Sequence, residues 1–169
     1  IKILKSKRAN IVTKTMPEIE QAMYLGGSLV TTEAYGTWFK TIEKNPKLMF
    51  SKILDRFRSG NSISGAEYVD LWRKLKTVRN RFYNSLIPYD FVIMPTSPIL
   101  PPNIEKLLND DDYYVKQNLM ALRNTRVCNF LGGCALTIPT NIPSSGIMLM
   151  GNPNTEEKLL RYGMVLESA

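Results

Sequence analysis

The chain has 169 residues, 44% hydrophobic and 22% charged, which fits one globular domain with a real core and leaves little room for a second. It has no histidine, and its two cysteines, Cys128 and Cys134, lack a C-x-x-C spacing. That excludes Ser-His-Asp and Cys-His machinery within the chain and argues against a zinc site or a disulfide-stapled secreted domain. The formal charge of +7 admits a polyanionic partner, or an acidic remainder in a longer protein, and no nucleic-acid reading motif accompanies it. No apolar run approaches a membrane span and no signal-peptide pattern opens the chain, so no membrane partner is expected, and the cysteine usage fits a reducing, cytoplasmic setting.

Residues 1–9 (IKILKSKRA) read as the tail of a helix whose beginning is absent, with Ile3 and Leu4 apolar and Lys2, Lys5, Lys7 and Arg8 basic. A trimmed or disordered start is the alternative. Alternation of Ile11 and Thr13 with Val12 and Lys14 predicts a short strand over residues 10–14. Pro17 at a first helical position, followed by Glu18 and Glu20, predicts a helix over residues 16–45, weakened at Gly26–Gly27. A second helix is predicted over residues 46–58, stopping at Gly60.

Ser64-Gly65-Ala66-Glu67 is a capping box, in which the serine hydroxyl takes an amide of the first turn and the glutamate reaches back. Tyr68, Leu71, Trp72, Leu75, Val78, Phe82 and Leu86 then recur at helical spacing as one apolar stripe, with Arg73, Lys74, Lys76 and Arg81 opposite. Arg79 falls inside the stripe, where a snorkelling or ion-paired arginine is the expectation. The continuous apolar run Phe91 to Met94 predicts a central strand covered on both faces. A helix capped by Asp111 or Asp112 should carry Val115, Leu119, Leu122 and Phe130 inward and stop at Gly132–Gly133. Residues 135–138 and 146–150 read as two further buried strands, and a last helix from Thr155 should face Leu159, Leu160, Met164 and Val165 inward. The order of elements is that of an α/β layer structure.

Three segments in this order carry a signature. Asp90-Phe91-Val92-Ile93-Met94-Pro95-Thr96-Ser97-Pro98 resembles the D-hydrophobic-P-T-x-P strand and turn of amidase signature enzymes. Asn129 to Pro139 (NFLGGCALTIP) is similar to their N-x-x-G-x-P-A-L-x-L-P helix-to-strand joint, and Pro143 to Gly151 (PSSGIMLMG) to their G-x-P-x-G-L-Q-L-x-G strand. Upstream, Arg56 to Gly60 followed by Tyr68 resembles the R-x-x-x-G … Y region. Cys134 stands where the family commonly has proline and Met148 where it often has glutamine, departures that bear on substrate subgroup more than on fold.

The resemblance implies an α/β fold in which residues 1–169 form the C-terminal part of a single amidase domain, a mixed β-sheet flanked by α-helices. It implies hydrolysis of an amide C–N bond through a Ser–cis-Ser–Lys triad, without a cofactor or metal. One serine attacks the carbonyl, the second relays its proton, and a lysine of depressed pKa is the base. Those residues precede the region of resemblance, so no catalytic residue is assigned within this chain and the chain alone is expected to be inactive. Gly26-Gly27-Ser28 falls inside a helix, Ser144–Ser145 inside a hairpin, and Cys134 has no histidine to activate it. Arg56, four residues before Gly60, matches a position that binds a substrate carboxylate in some family members, against a surface ion pair as the default reading. Asp112 and Arg123 are weaker candidates. Membership of a tRNA-dependent amidotransferase complex, favoured by the basic helix from Arg73 to Arg81, and a non-catalytic binding module are the alternative readings. Strands this apolar should also leave open edges, so self-association of the chain is expected.

Overall fold

The computed structural model describes residues 2–6 and 8–167. The chain divides into two compact units, a helical one of residues 17–82 and one of residues 1–16 and 83–169 that holds the sheet. The α/β class expected from the sequence holds.

In the helical unit, α2 (Pro17–Lys44) runs unbroken through Gly26 and Gly27. Gly26 is buried and Gly27 exposed, so the pair thins one side of the helix without ending it. Residues 46–58 are not one helix: a 3-10 turn at Pro46–Leu48 is followed by α3 (Ser51–Ser59). The break falls at Met49 and Phe50, whose ψ values of 140° and 124° are extended. The chain then turns back, and Leu54 on α3 and Ile42 on α2 are both buried. Gly60 closes this hairpin. A Cβ there would overlap the Thr31 carbonyl and stand 2.5 Å from Thr32 N, so the end of α3 lies directly on the backbone of α2.

The capping box at the start of α4 (Gly65–Leu86) forms as read, with Glu67 N donating to Ser64 Oγ at 3.2 Å and Ser64 N to Glu67 Oε2 at 2.8 Å. The Ser64 backbone N–H, and after it the Ser64 hydroxyl, hold the Glu67 carboxyl below its ordinary pKa. α4 runs antiparallel to α2, since Tyr68 donates to Glu33 at 2.7 Å near one end and Arg81 to Gln21 near the other. Leu75, Val78, Phe82 and Leu86 are buried as the stripe requires. Arg79 resolves its misplaced position by stacking, its guanidinium 5.3 Å above the Trp72 ring.

In the sheet unit, α1 (Lys2–Ser6) buries Leu4; Ile1, Lys7 and the side chains of Lys2 and Ile3 lie outside the described residues. The strand expected at residues 10–14 is absent from the sheet. Lys14 instead donates to the Ser85 carbonyl at 3.1 Å and lies over the Tyr89 ring. The sheet has the order β1-β3-β2, with β1 at Val92–Pro95, β2 at Cys134–Pro139 and β3 at Gly146–Gly151. Among the described residues it is antiparallel throughout rather than mixed. The expectation of a central first strand is also corrected. β3 takes the centre, with Met148, Leu149 and Met150 at 2% exposure or less, while β1 is half-buried and β2 alternates half-buried with exposed positions.

A short α5 (Ile104–Asn109) comes first, and the helix expected from Asp111 or Asp112 to Gly132 is two: α6 (Asp111–Ala121) and α7 (Arg123–Leu131). Asp110, not Asp111 or Asp112, caps α6 by accepting from Tyr113 N at 2.9 Å. The break at Leu122 resets the helical phase, so Val115, Leu119 and Leu122 are exposed while Val127, Phe130 and Leu131 are buried. α7 ends at Gly132 with φ 72°, the left-handed value that favours glycine at a helix end. α8 (Glu156–Glu167) buries Leu159 and Gly163 against the sheet. A Cβ at Gly163 would overlap Leu136 Cδ2, and this contact turns Leu160, Met164 and Val165 outward, against expectation.

Two substitutions test this packing. Gly60→Ala should destabilise the protein by about 3 kcal/mol, because helix backbones must part to admit the methyl group. Gly27→Ala, with nothing within 4 Å of the new methyl, should stabilise it by about 0.5–1 kcal/mol. Urea unfolding midpoints report both, and equal shifts in one direction would refute the contrast.

Candidate substrate-facing site

Arg56 sits in the last turn of α3, and its position follows from the glycine four residues later. Because Gly60 seats α3 on α2, the turn carrying Arg56 is fixed, and Ser59 Oγ ties back to the Arg56 carbonyl at 2.7 Å. Arg56 is half-buried. The neighbouring Arg58 is engaged by Glu43 through two bonds, Nε to Oε1 at 2.9 Å and Nη2 to Oε2 at 2.7 Å. That pairing holds the Glu43 carboxyl low and the Arg58 guanidinium high, and Tyr35 joins it at 3.3 Å.

Two clefts flank α4 in the same unit. One of about 540 Å³ between α2 and α4 is lined by Glu20, Gln21, Tyr24, Lys74, Thr77 and Arg81, among others. The other, about 480 Å³, is lined by Val69, Trp72, Arg73, Lys76 and Arg79. Arg56 lines neither.

In the sheet unit, the residues of the D-hydrophobic-P-T-x-P segment have individual roles. Asp90 Oδ1 accepts from Tyr162 at 2.8 Å and from Lys158 at 3.0 Å, clasping α8 to the start of β1. The Phe91 and Tyr162 rings pack beside it, tilted by 56° with centroids 4.9 Å apart. The Tyr162 hydroxyl, and after it Lys158, hold the Asp90 carboxyl below its ordinary pKa. At the other end of β1, Asn124 Nδ2 donates to the Pro95 carbonyl at 2.7 Å. Thr96 N donates to the Gly146 carbonyl at 2.9 Å, and Thr96 Oγ1 to Thr137 Oγ1 at 3.3 Å. This polar crossing is tight at Gly146, where a Cβ would stand 3.0 Å from Thr137 Cγ2 and 3.1 Å from Thr96 Oγ1.

Asn124, 8% exposed, is the placed polar residue that sequence reasoning missed, because a lone amide beside the charged Arg123 belongs to no local pattern. Asp112 is exposed in the first turn of α6 and Arg123 half-exposed at the start of α7, on separate helices.

The stand-ins for a nucleophile have structural employment. Ser28 lies within α2, where its carbonyl accepts from the hydroxyls of Thr31 and Thr32. Ser144 occupies the left-handed position of the β2–β3 hairpin at φ 60°, and the Ser145 hydroxyl bonds to Ile142 and Thr140. Cys134 Sγ donates to the Asn152 carbonyl at 3.1 Å. Burial pushes the Cys128 thiol up to about 11, which keeps it protonated and a poor nucleophile at neutral pH. Among the described residues, no cluster of metal-ligating side chains is present.

The comparisons with known proteins agree with this arrangement. The amidase family profile matches residues 1–160. The chain belongs to the amidase family. It is 25% identical over 166 residues to the 2-amino-5-chloromuconic acid deaminase of Comamonas testosteroni, covering 95% of this chain and 36% of that protein. It is 30% identical over 142 residues to one subunit of the glutamyl-tRNA(Gln) amidotransferase of Sulfolobus acidocaldarius, covering 78% and 29%. A crystal structure of an amidase shares the fold with a TM-score of 0.79 at 17% identity, covering 99% of this chain and 39% of that one. A Kluyveromyces lactis allophanate hydrolase gives the same TM-score at 18% identity, with 99% and 28% covered. The chain thus spans about a third of the length of the curated relatives it matches. No helix among the described residues is long and apolar enough to cross a membrane.

The clasp at Asp90 predicts a pH dependence. Its folded pKa is depressed, so its contribution to stability is full above the ordinary carboxylate value of 3.8 and is lost as pH falls through the folded value. Asp90→Asn should therefore lower the unfolding midpoint at pH 7, and the deficit should shrink as pH falls below 3.8. A deficit that does not shrink would remove the electrostatic account.

Proposed function

We propose that this chain is the C-terminal part of a single amidase domain, and that the complete protein hydrolyses the C–N bond of a small carboxylic amide. The match of residues 1–160 to the amidase family carries this reading. In the proposed reaction a serine oxygen attacks the amide carbonyl while a bridging serine passes its proton to a neutral lysine. The proton then goes to the departing amine as the C–N bond breaks, and water releases the acid from the acyl-serine by the same relay. The triad lies on residues outside this sequence, and the chain supplies scaffold and pocket wall. This division rests on the place of Ser28 inside α2, of Ser144 and Ser145 in the β2–β3 hairpin, and on the bonded Cys134 and buried Cys128 thiols, and the isolated chain is inert on this account. The free thiols of Cys128 and Cys134 suit a reducing cytoplasm.

Arg56 is the substrate contact in this proposal, binding a carboxylate carried by the amide. The turn fixed at Gly60, where a Cβ would overlap the backbone of α2, supports it. In the complete protein, Arg56→Ala should raise KM for carboxylated amides about ten- to hundredfold and leave neutral amides nearly unchanged. Equal losses on both substrate types would reject the role. If the complete protein hydrolyses no simple amide or acyl-amide, the amidase reading itself fails.

A second reading, a component of a tRNA-dependent amidotransferase, is favoured by the relatives of that description and by the cations Arg73, Lys76 and Arg79 along one cleft of α4. It requires tRNA binding that weakens steeply with salt; affinity insensitive to salt would exclude it. Exposed Leu160, Met164 and Val165 on α8 support self-association of the isolated chain. Light scattering should show mass rising with concentration, and a monomer throughout would end that proposal.

A further inference from the structure

The closed tip of the α2–α3 hairpin carries a surface that the amidase chemistry does not use. Trp38 and Phe39 lie in the closing turns of α2, Leu48 in the 3-10 turn, and Phe50 just before α3. They are 55%, 41%, 87% and 53% exposed. Holding that much apolar surface in water at one end of a hairpin is costly, and such a patch marks a contact surface.

Its surroundings say what kind. Lys40, Lys44, Lys47 and Lys52 fall within the same stretch, with Lys40 Nζ 6.0 Å from the Phe39 ring centroid and Lys52 Nζ 5.7 Å from that of Phe50. The acid among them, Glu43, is engaged by Arg58 and Tyr35. The stretch therefore combines exposed apolar side chains with exposed cations. Aromatic and leucine side chains that enter the acyl boundary, with lysine stems alongside and ammonium groups at the phosphates, are the composition of a surface-bound membrane contact.

We propose that this tip docks on an anionic phospholipid surface, with Trp38, Leu48 and Phe50 entering the headgroup region and Lys40, Lys44 and Lys47 against its phosphates. The protein would lie on the bilayer rather than span it, which is compatible with the absence of a spanning helix among the described residues. A nucleic acid fits less well, because Leu48, the most exposed of the group, offers no ring on which a base could stack.

The test is co-sedimentation of the complete protein with vesicles of phosphatidylcholine plus phosphatidylserine, against phosphatidylcholine alone. Binding should favour the serine-containing vesicles and weaken with salt. Lys44→Ala and Lys47→Ala should each lower the partition coefficient about fivefold. Leu48→Ser and Phe50→Ser should each lower it about tenfold or more. These positions are exposed, so circular dichroism should be unchanged, and hydrolysis of soluble amides should persist, which separates this proposal from the catalytic one. Absence of vesicle binding, equal binding to both vesicle types, indifference to Leu48→Ser and Phe50→Ser, or binding to tRNA alone would each overturn it.

Discussion

In the sheet unit both outer strands hydrogen-bond to β3, and burial of Met148, Leu149 and Met150 is what holds the layer together. Because β3 is last in sequence and central in space, the two earlier strands must flank it and each presents an outer edge. Its first residue, Gly146, is the close point at which Thr96 and Thr137 meet, and its last, Gly151, lies under Thr155 and Leu159 of the final helix. The clasp of Asp90 with Tyr162 and Lys158 fastens that helix from the β1 side. In the helical unit the comparable constraint is Gly60 on the backbone of α2, which fixes the turn bearing Arg56.

Local chemistry was the part most readable from sequence. The capping box at Ser64, the proline start of α2 and the glycine end of α7 each depend on residues within a few positions, and each formed where expected. What sequence could not convey was which of several apolar faces would be covered. The runs at residues 91–94 and 146–150 are similarly hydrophobic, and only pairing decides that the second is central. On α8, Leu159 and Leu160 are chemically identical, and the contact of Gly163 with Leu136 selects the first. The strand read at residues 10–14 had the right alternation but no partner, and a lysine contact took its place.

The candidate site shows the same divide. Arg56 was legible as a motif position, whereas Asn124 has no local pattern and gains meaning only through the Pro95 carbonyl, 29 residues away. Serines that look suggestive in sequence are consumed by helix and hairpin geometry. On the proposed account this chain offers amide chemistry a frame with placed polar groups, and the covalent work falls to groups outside it.

The most direct measurement of that claim is the site of covalent modification. The complete protein would be treated with a serine-reactive fluorophosphonate, digested, and the modified peptide located by mass spectrometry. The account requires the label on a serine outside residues 1–169 of this sequence. A label on Ser28, Ser144 or Ser145 would contradict it.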